Sequence, residues 1–142
     1  MKSFCDTKNP NLDNCPFAQD YTRMINVARS LGLPKVYVSI PPPLMQDSAY
    51  GMNQTTINTI FPNLIPLIAK TNHVDGIIDV FAGMGGNKDW KSTFPNNCTL
   101  TSHFTSCKYF CESDQEWKCD QCHPDNHGYT RMAEIVQEGI GL

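Results

Sequence analysis

The stretch KCDQCHPDNHGYTRMAEIV, residues 118–136, concentrates residue types that do chemistry and supports three readings. Cys119, Cys122 and His123 form C-x-x-C-H, in which two thiols hold a c-type haem and the imidazole ligates its iron. With Cys107 and Cys111 the same cysteines give C-x3-C-x7-C-x2-C, a spacing at which four thiolates complete the tetrahedron of a structural zinc. Asp120 and His123 form D-x-x-H followed by Pro124. A carboxylate three residues before an imidazole, on the turn ahead of a helix, can orient the ring and make it an effective proton acceptor. Haem attachment needs two free thiols, an axial partner and a pocket, and the motif sits beside Pro124; taken by itself, His123-Pro124 reads as a turn ahead of a helix capped by Asp125.

Seven cysteines are present, and five of them (Cys98, Cys107, Cys111, Cys119 and Cys122) crowd a segment with few aliphatic residues. Disulfides that staple a loop too polar to pack by itself are favoured over zinc, and zinc stays open as the alternative. Five is odd, so one of the group is left over; Cys5 or Cys15 takes it, or it stays free. Two glycosylation sequons, Asn53-Gln54-Thr55 and Asn97-Cys98-Thr99, point with the cysteines to a secreted protein or one of the lysosomal or endomembrane lumen. MKSFCDTKNP has no apolar core of a signal peptide, so a signal is expected upstream of it.

Length and charge narrow the field further. The 142 residues suit one domain, and a net charge of −3 without runs of either sign gives no footprint for nucleic acid or an anionic membrane. No segment approaches the roughly 18–20 apolar residues that span a bilayer. No cofactor and no metal is expected.

These groups need elements to position them. Residues 16–31 predict a helix with Phe17, Met24, Ile25, Ala28 and Leu31 inward, Pro16 at its start and Gly32 as its stop. KVYVSI, residues 35–40, is cut off by Pro41, Pro42 and Pro43, and GIIDVF, residues 76–81, follows the same pattern; both predict buried strands of a parallel sheet. Between them residues 56–70 predict a helix that Pro62 and Pro66 kink or break. A last helix, capped by Asp125 or Asn126, is expected to turn Tyr129, Met132, Ala133 and Val136 inward. The rhythm of helix, strand, helix, strand, loop and helix is that of crossover units on a parallel sheet, and two strands make only part of one.

In this setting DQCHPDNHGYTRMA resembles the last signature block of the SGNH hydrolases, the GDSL-type lipases and esterases. MKSFCDTKNPN, FAQDYTRMI and KVYVSIPPPL resemble, in order, the features that lead from the third block of that family to its next strand. The resemblance spans nearly the whole chain. It implies a partial flavodoxin-like α/β/α sandwich: residues 1–142 form a single incomplete domain, and residues 87–122 a Cys-rich insertion within it. It also implies that Asp120 is the acid and His123 the base of a carboxylic-ester hydrolase. Small esters, including acetyl esters on carbohydrates, are the expected substrates.

Aligned on Asp6, the glycine of the third block falls on Ser3, and its oxyanion-stabilising asparagine falls on Cys5. A thiol there is a poor replacement for an amide donor. The block with the nucleophilic serine is expected to lie before residue 1, so the chain reads as the C-terminal portion, not competent alone and completed by an N-terminal segment. Asp47-Ser48 imitates that block poorly, because Gln46 stands where it has glycine. A catalytically inactive binding or structural module is the alternative. Trp90, Trp117, Tyr109 and Phe110 form either a sugar-stacking platform or the core of the stapled loop. His103, Asp114 and His127 are expected to be solvated.

Overall fold

Pro16 lacks an N–H that a first helical turn would leave unpaired, and it starts α1, Pro16–Ser30. Cys15 caps this helix, its sulfur accepting from the Ala18 N–H at 3.4 Å. The computed structural model describes residues 11–93, 105–111 and 119–142, together with Cys5 and Cys98. Ala18 and Ile25 of α1 are buried, and Phe17 stacks on Phe61 at 4.7 Å. Met24 and Leu31 are exposed, contrary to the inward face read from the spacing, together with Val27 and Leu33. The helix packs against the helix that follows β1, and Ala18 and Ile25 join the apolar cluster of Val38, Ile40, Leu64 and Ile65, which leaves Met24, Val27 and Leu31 uncovered.

β1, Tyr37–Ile40, and β2, Gly76–Asp79, pair in parallel, with Tyr37 opposite Gly76 and Ile40 opposite Asp79. The Asp75 carboxylate accepts from the Val36 N–H at 2.8 Å and the Asp75 N–H donates to the Val36 carbonyl at 2.9 Å, which secures the start of the pair. The second strand is shorter than GIIDVF suggested. Asp79 turns its side chain onto the Ala82 N–H at 2.9 Å and so caps α3, Val80–Gly83, which takes the last two residues of that run.

Between the strands, α2, Phe61–Thr71, is preceded by a π-helical turn over Thr56–Ile60. Pro62 falls in the first turn of α2, where its missing N–H is tolerated, and α2 continues through Pro66, so the helix is not broken there; the irregular π turn lies ahead of both prolines. α4, Trp90–Thr93, is a single turn, and α5, Asn126–Ile140, closes the chain. Asp125, one of the two caps foreseen, accepts from the Gly128 N–H at 2.7 Å. Gly128 and Ile135 are the buried residues of α5, and Met132 is half-buried. Tyr129, Ala133 and Val136 face solvent, which corrects the expected inward set.

The chain is thus a mixed α/β structure. Val38 and Ile40 pack with Leu64, Ile65 and Ile68 of α2 in one apolar cluster, while Ile78 joins Ile135 of α5, Met45, Met84, Trp90 and Phe110 in another. Cys98, Cys107 and Cys111 belong to the second cluster, so the Cys-rich segment is anchored in apolar packing as well as by cross-links. Among the described residues no helix is long and apolar enough to cross a membrane.

Candidate acid–base site

Parallel strands bring their C-terminal ends to one edge, and the loops leaving those ends are where α/β folds build their sites. The loop leaving β1 is held at its base by buried Asn58, whose side chain accepts from the Leu44 N–H and donates to the Leu44 carbonyl, both at 2.8 Å. The Met45 N–H then donates to the Gln121 carbonyl at 2.9 Å, tying this loop to the D-x-x-H turn. The turn itself hangs on the Cys-rich segment. The Asp120 N–H donates to the Phe110 carbonyl at 3.0 Å, the Asp125 N–H to the Tyr109 carbonyl at 2.8 Å, and Cys111 is bonded to Cys119.

Within the turn, Asp120 Oδ1 accepts from the Cys122 and His123 N–H groups at 2.8 and 2.9 Å, a side-chain-closed turn of the kind short acidic residues favour. Its other oxygen, Oδ2, lies 2.9 Å from His123 Nδ1. The Tyr50 hydroxyl donates to the same Oδ2 at 2.9 Å, and the Tyr50 ring stands edge-on to the imidazole at 4.6 Å between centroids. Among the described residues His123 Nε2 has no hydrogen-bond partner. The pair sits on a cavity of about 660 Å³ lined by Gln46, Tyr50, Phe110, Gln121 and Pro124 among others.

Partial burial pushes the Asp120 carboxyl upward, but the backbone and ring N–H groups of His123, the Cys122 N–H and the Tyr50 hydroxyl outweigh it and bring the pKa down to about 2. Near neutral pH Asp120 is therefore a carboxylate that can only accept, so the Nδ1 that faces it carries a proton and, in the neutral ring, the lone pair belongs to Nε2. The hydrogen bond to Asp120, then its charge, raise the Tyr50 hydroxyl, which stays a donor. Burial, then the Asp120 charge, push the Cys122 thiol up.

The cysteines pair as Cys5–Cys15, Cys98–Cys107 and Cys111–Cys119, and Cys122 is free. Cys122 is thus the odd member of the group expected to cross-link. Cys5, expected from the family resemblance to fall where an oxyanion donor stands, has its sulfur in a disulfide and no S–H to donate. The same bonds take three of the four thiols of the zinc reading and one of the two that haem attachment needs. Three disulfides fit an oxidising environment.

Trp90 and Phe110 are buried, and the Trp90 indole donates to Thr59 Oγ1 at 2.9 Å, so they are core and not a platform. Tyr109 is half-buried. His127 is exposed, as is Ser48, which does not line the cavity although Gln46, Ala49 and Tyr50 do. Asn53 is exposed, its Oδ1 accepting from the Thr56 N–H at 2.8 Å. Ser3, Asp6, Asn97, His103, Asp114 and Trp117 lie outside the described residues. Tyr50, 70 positions from Asp120, is the site residue the sequence reading missed. No family model matches the chain, and neither curated proteins nor solved structures showed a significant match.

Proposed function

We propose that this chain supplies the acid–base half of an SGNH-type ester hydrolase, a C-terminal portion of a flavodoxin-like sandwich that works in a secretory or lysosomal lumen. The observation that carries the reading is the 2.9 Å contact between Asp120 Oδ2 and His123 Nδ1, with Nε2 of this cavity-lining histidine unpartnered among the described residues. In acyl transfer, Nε2 accepts the proton of a serine hydroxyl as that oxygen attacks the ester carbon, and Asp120 stabilises the imidazolium that forms. The imidazolium then returns the proton to the leaving alkoxide. In the second half His123 takes a proton from the water that attacks the acyl-serine and passes it to the serine oxygen as the acyl–oxygen bond breaks, which releases the acid and restores both groups. The substrates are small esters, among them acylated carbohydrates. The serine belongs to the block that the family resemblance places ahead of these residues.

Hydrolysis of p-nitrophenyl acetate tests this. The chain alone is expected to give background rates with no burst. A polypeptide supplying the serine block, mixed in or fused ahead, is expected to restore turnover that His123→Ala lowers at least about a hundredfold. Restored turnover indifferent to His123→Ala would remove the histidine from the mechanism. The second reading, an inactive binding module, is favoured by the Cys5–Cys15 bond at the oxyanion position. It predicts that an acetylated glycan binds the chain and that complementation never yields turnover.

A further inference from the structure

We infer that Tyr50 is a positioning residue of the Asp120–His123 pair: its hydroxyl occupies the remaining acceptor direction of Asp120 Oδ2, and its ring edge braces the imidazole, so that Nε2 stays turned to the cavity. The inference rests on the acid–base reading above. Its first support is convergence. Tyr50 makes two contacts of different kind, a 2.9 Å hydrogen bond to the acid and an edge-on ring contact at 4.6 Å to the base.

The second support is the backbone. Tyr50 has φ 51° and ψ 30°, a left-handed conformation costly for a bulky residue, and it does so while 72 % exposed. Ser48 at φ 62° and Gly51 at φ 76° flank it. The side chain is not held by apolar burial; the hydroxyl bond to Asp120 and the ring contact with His123 help to offset that cost, beside the backbone bonds from the Gly51 N–H to the Ser48 carbonyl at 2.9 Å and from the Met52 N–H to the Ala49 carbonyl at 3.0 Å. The loop's base is fixed independently. Gln54 donates from its backbone to Asp47 Oδ1 and from its side chain to the Leu44 carbonyl, both at 2.9 Å. The tip carrying Tyr50 is therefore aimed at the pair by a closed loop.

The geometry also assigns a role that a merely structural tyrosine would not have. Asp120 Oδ2 serves two donors, and with the Tyr50 donor in place the carboxylate has less freedom to swing its charge away from Nδ1 toward water. Removing the hydroxyl should leave the fold intact, because the group is at the surface, and should loosen the acid's grip on the ring.

The experiment is NMR on the chain as it exists, comparing Tyr50→Phe and Tyr50→Ala with the parent. Two signals are followed: the Asp120 side-chain carbon through an acid titration, and solvent exchange of the His123 Nδ1 proton. Tyr50→Phe is expected to raise the Asp120 midpoint and to speed Nδ1 proton exchange about tenfold, the scale of one partly exposed hydrogen bond to a charged group. Tyr50→Ala, which also loses the ring edge, is expected to exchange faster still. An Asp120 midpoint and a proton exchange unchanged in Tyr50→Phe would overturn the inference. Ester hydrolysis plays no part in these signals, so loss of the hydrolase reading and loss of the Tyr50 role are separate outcomes.

Discussion

Asp120 is the residue on which four donors converge, and its ionisation has a consequence for stability. Its folded pKa of about 2 lies below the ordinary 3.8, so the folded state binds its proton less readily than the unfolded chain. That contribution is fully present above about pH 4 and is lost as pH falls through about 2. A side chain 34 % exposed is partly screened, which holds the effect to on the order of 1 kcal/mol. Asp120→Ala is therefore expected to cost about 1–2 kcal/mol at pH 7, and the gap from the parent should narrow between pH 5 and pH 2 in urea unfolding curves. A gap constant over that range would mean that the carboxylate charge does not contribute. At this scale the contact between Asp120 and His123 was legible because the two are neighbours in sequence, three residues apart on one turn. Tyr50 was not, since nothing in a sequence signals a left-handed tyrosine that reaches a residue 70 positions away.

Element by element, starts and stops could be read better than faces. Pro16, Gly32 and Asp125 set helix boundaries by local backbone chemistry, and they stand where the sequence placed them. Which side of α1 or α5 is covered depends instead on neighbours distant in the chain, and periodicity marks an apolar stripe without saying what lies against it. Tyr129, 55 % exposed in α5, and Leu31, 75 % exposed beside α1, are the result. The inner side of α5 is set by Gly128. A Cβ there would press on the Tyr109 carbonyl, which already accepts from the Asp125 N–H at 2.8 Å, and would come within 2.6 Å of Pro124 Cβ. Backbone and a proline ring cannot give way as a flexible side chain would. Gly128→Ala is expected to destabilise by about 1–3 kcal/mol and to displace the His123-Pro124 turn. Gly141→Ala, at φ 78° with nothing near the added carbon, should cost about 1 kcal/mol and leave the His123 resonances unmoved. Equal shifts of those resonances in the two variants would show that the close approach at Gly128 does not set the turn.

For the molecule as a whole, the cross-links decide how firmly the acid–base turn is tied to the sheet. The sequence showed a cysteine-rich segment in need of staples but not the pairing, because pairing depends on which chain segments the apolar clusters bring together. The three disulfides close short loops, with sequence separations of 10, 9 and 8. Each is worth roughly 2.5–3 kcal/mol through the entropy it removes from the unfolded chain. The Cys111–Cys119 bond bears most directly on the site, since Phe110, whose carbonyl accepts the Asp120 N–H, is next to one end and Asp120 to the other. Alkylation of the denatured, unreduced chain is expected to mark one thiol, Cys122, and all seven cysteines after reduction. Replacing Cys111 and Cys119 together by serine should then lower stability by about 2–3 kcal/mol. Hydrogen exchange at the Asp120 amide should speed up more than at the β1–β2 ladder, because the ladder is held by the apolar packing of α2 and α5 and the turn by the staple. Uniform acceleration across both would mean that the bond stabilises the molecule globally without fixing the site. Four unblocked thiols with one bound zinc would replace the staple by a metal.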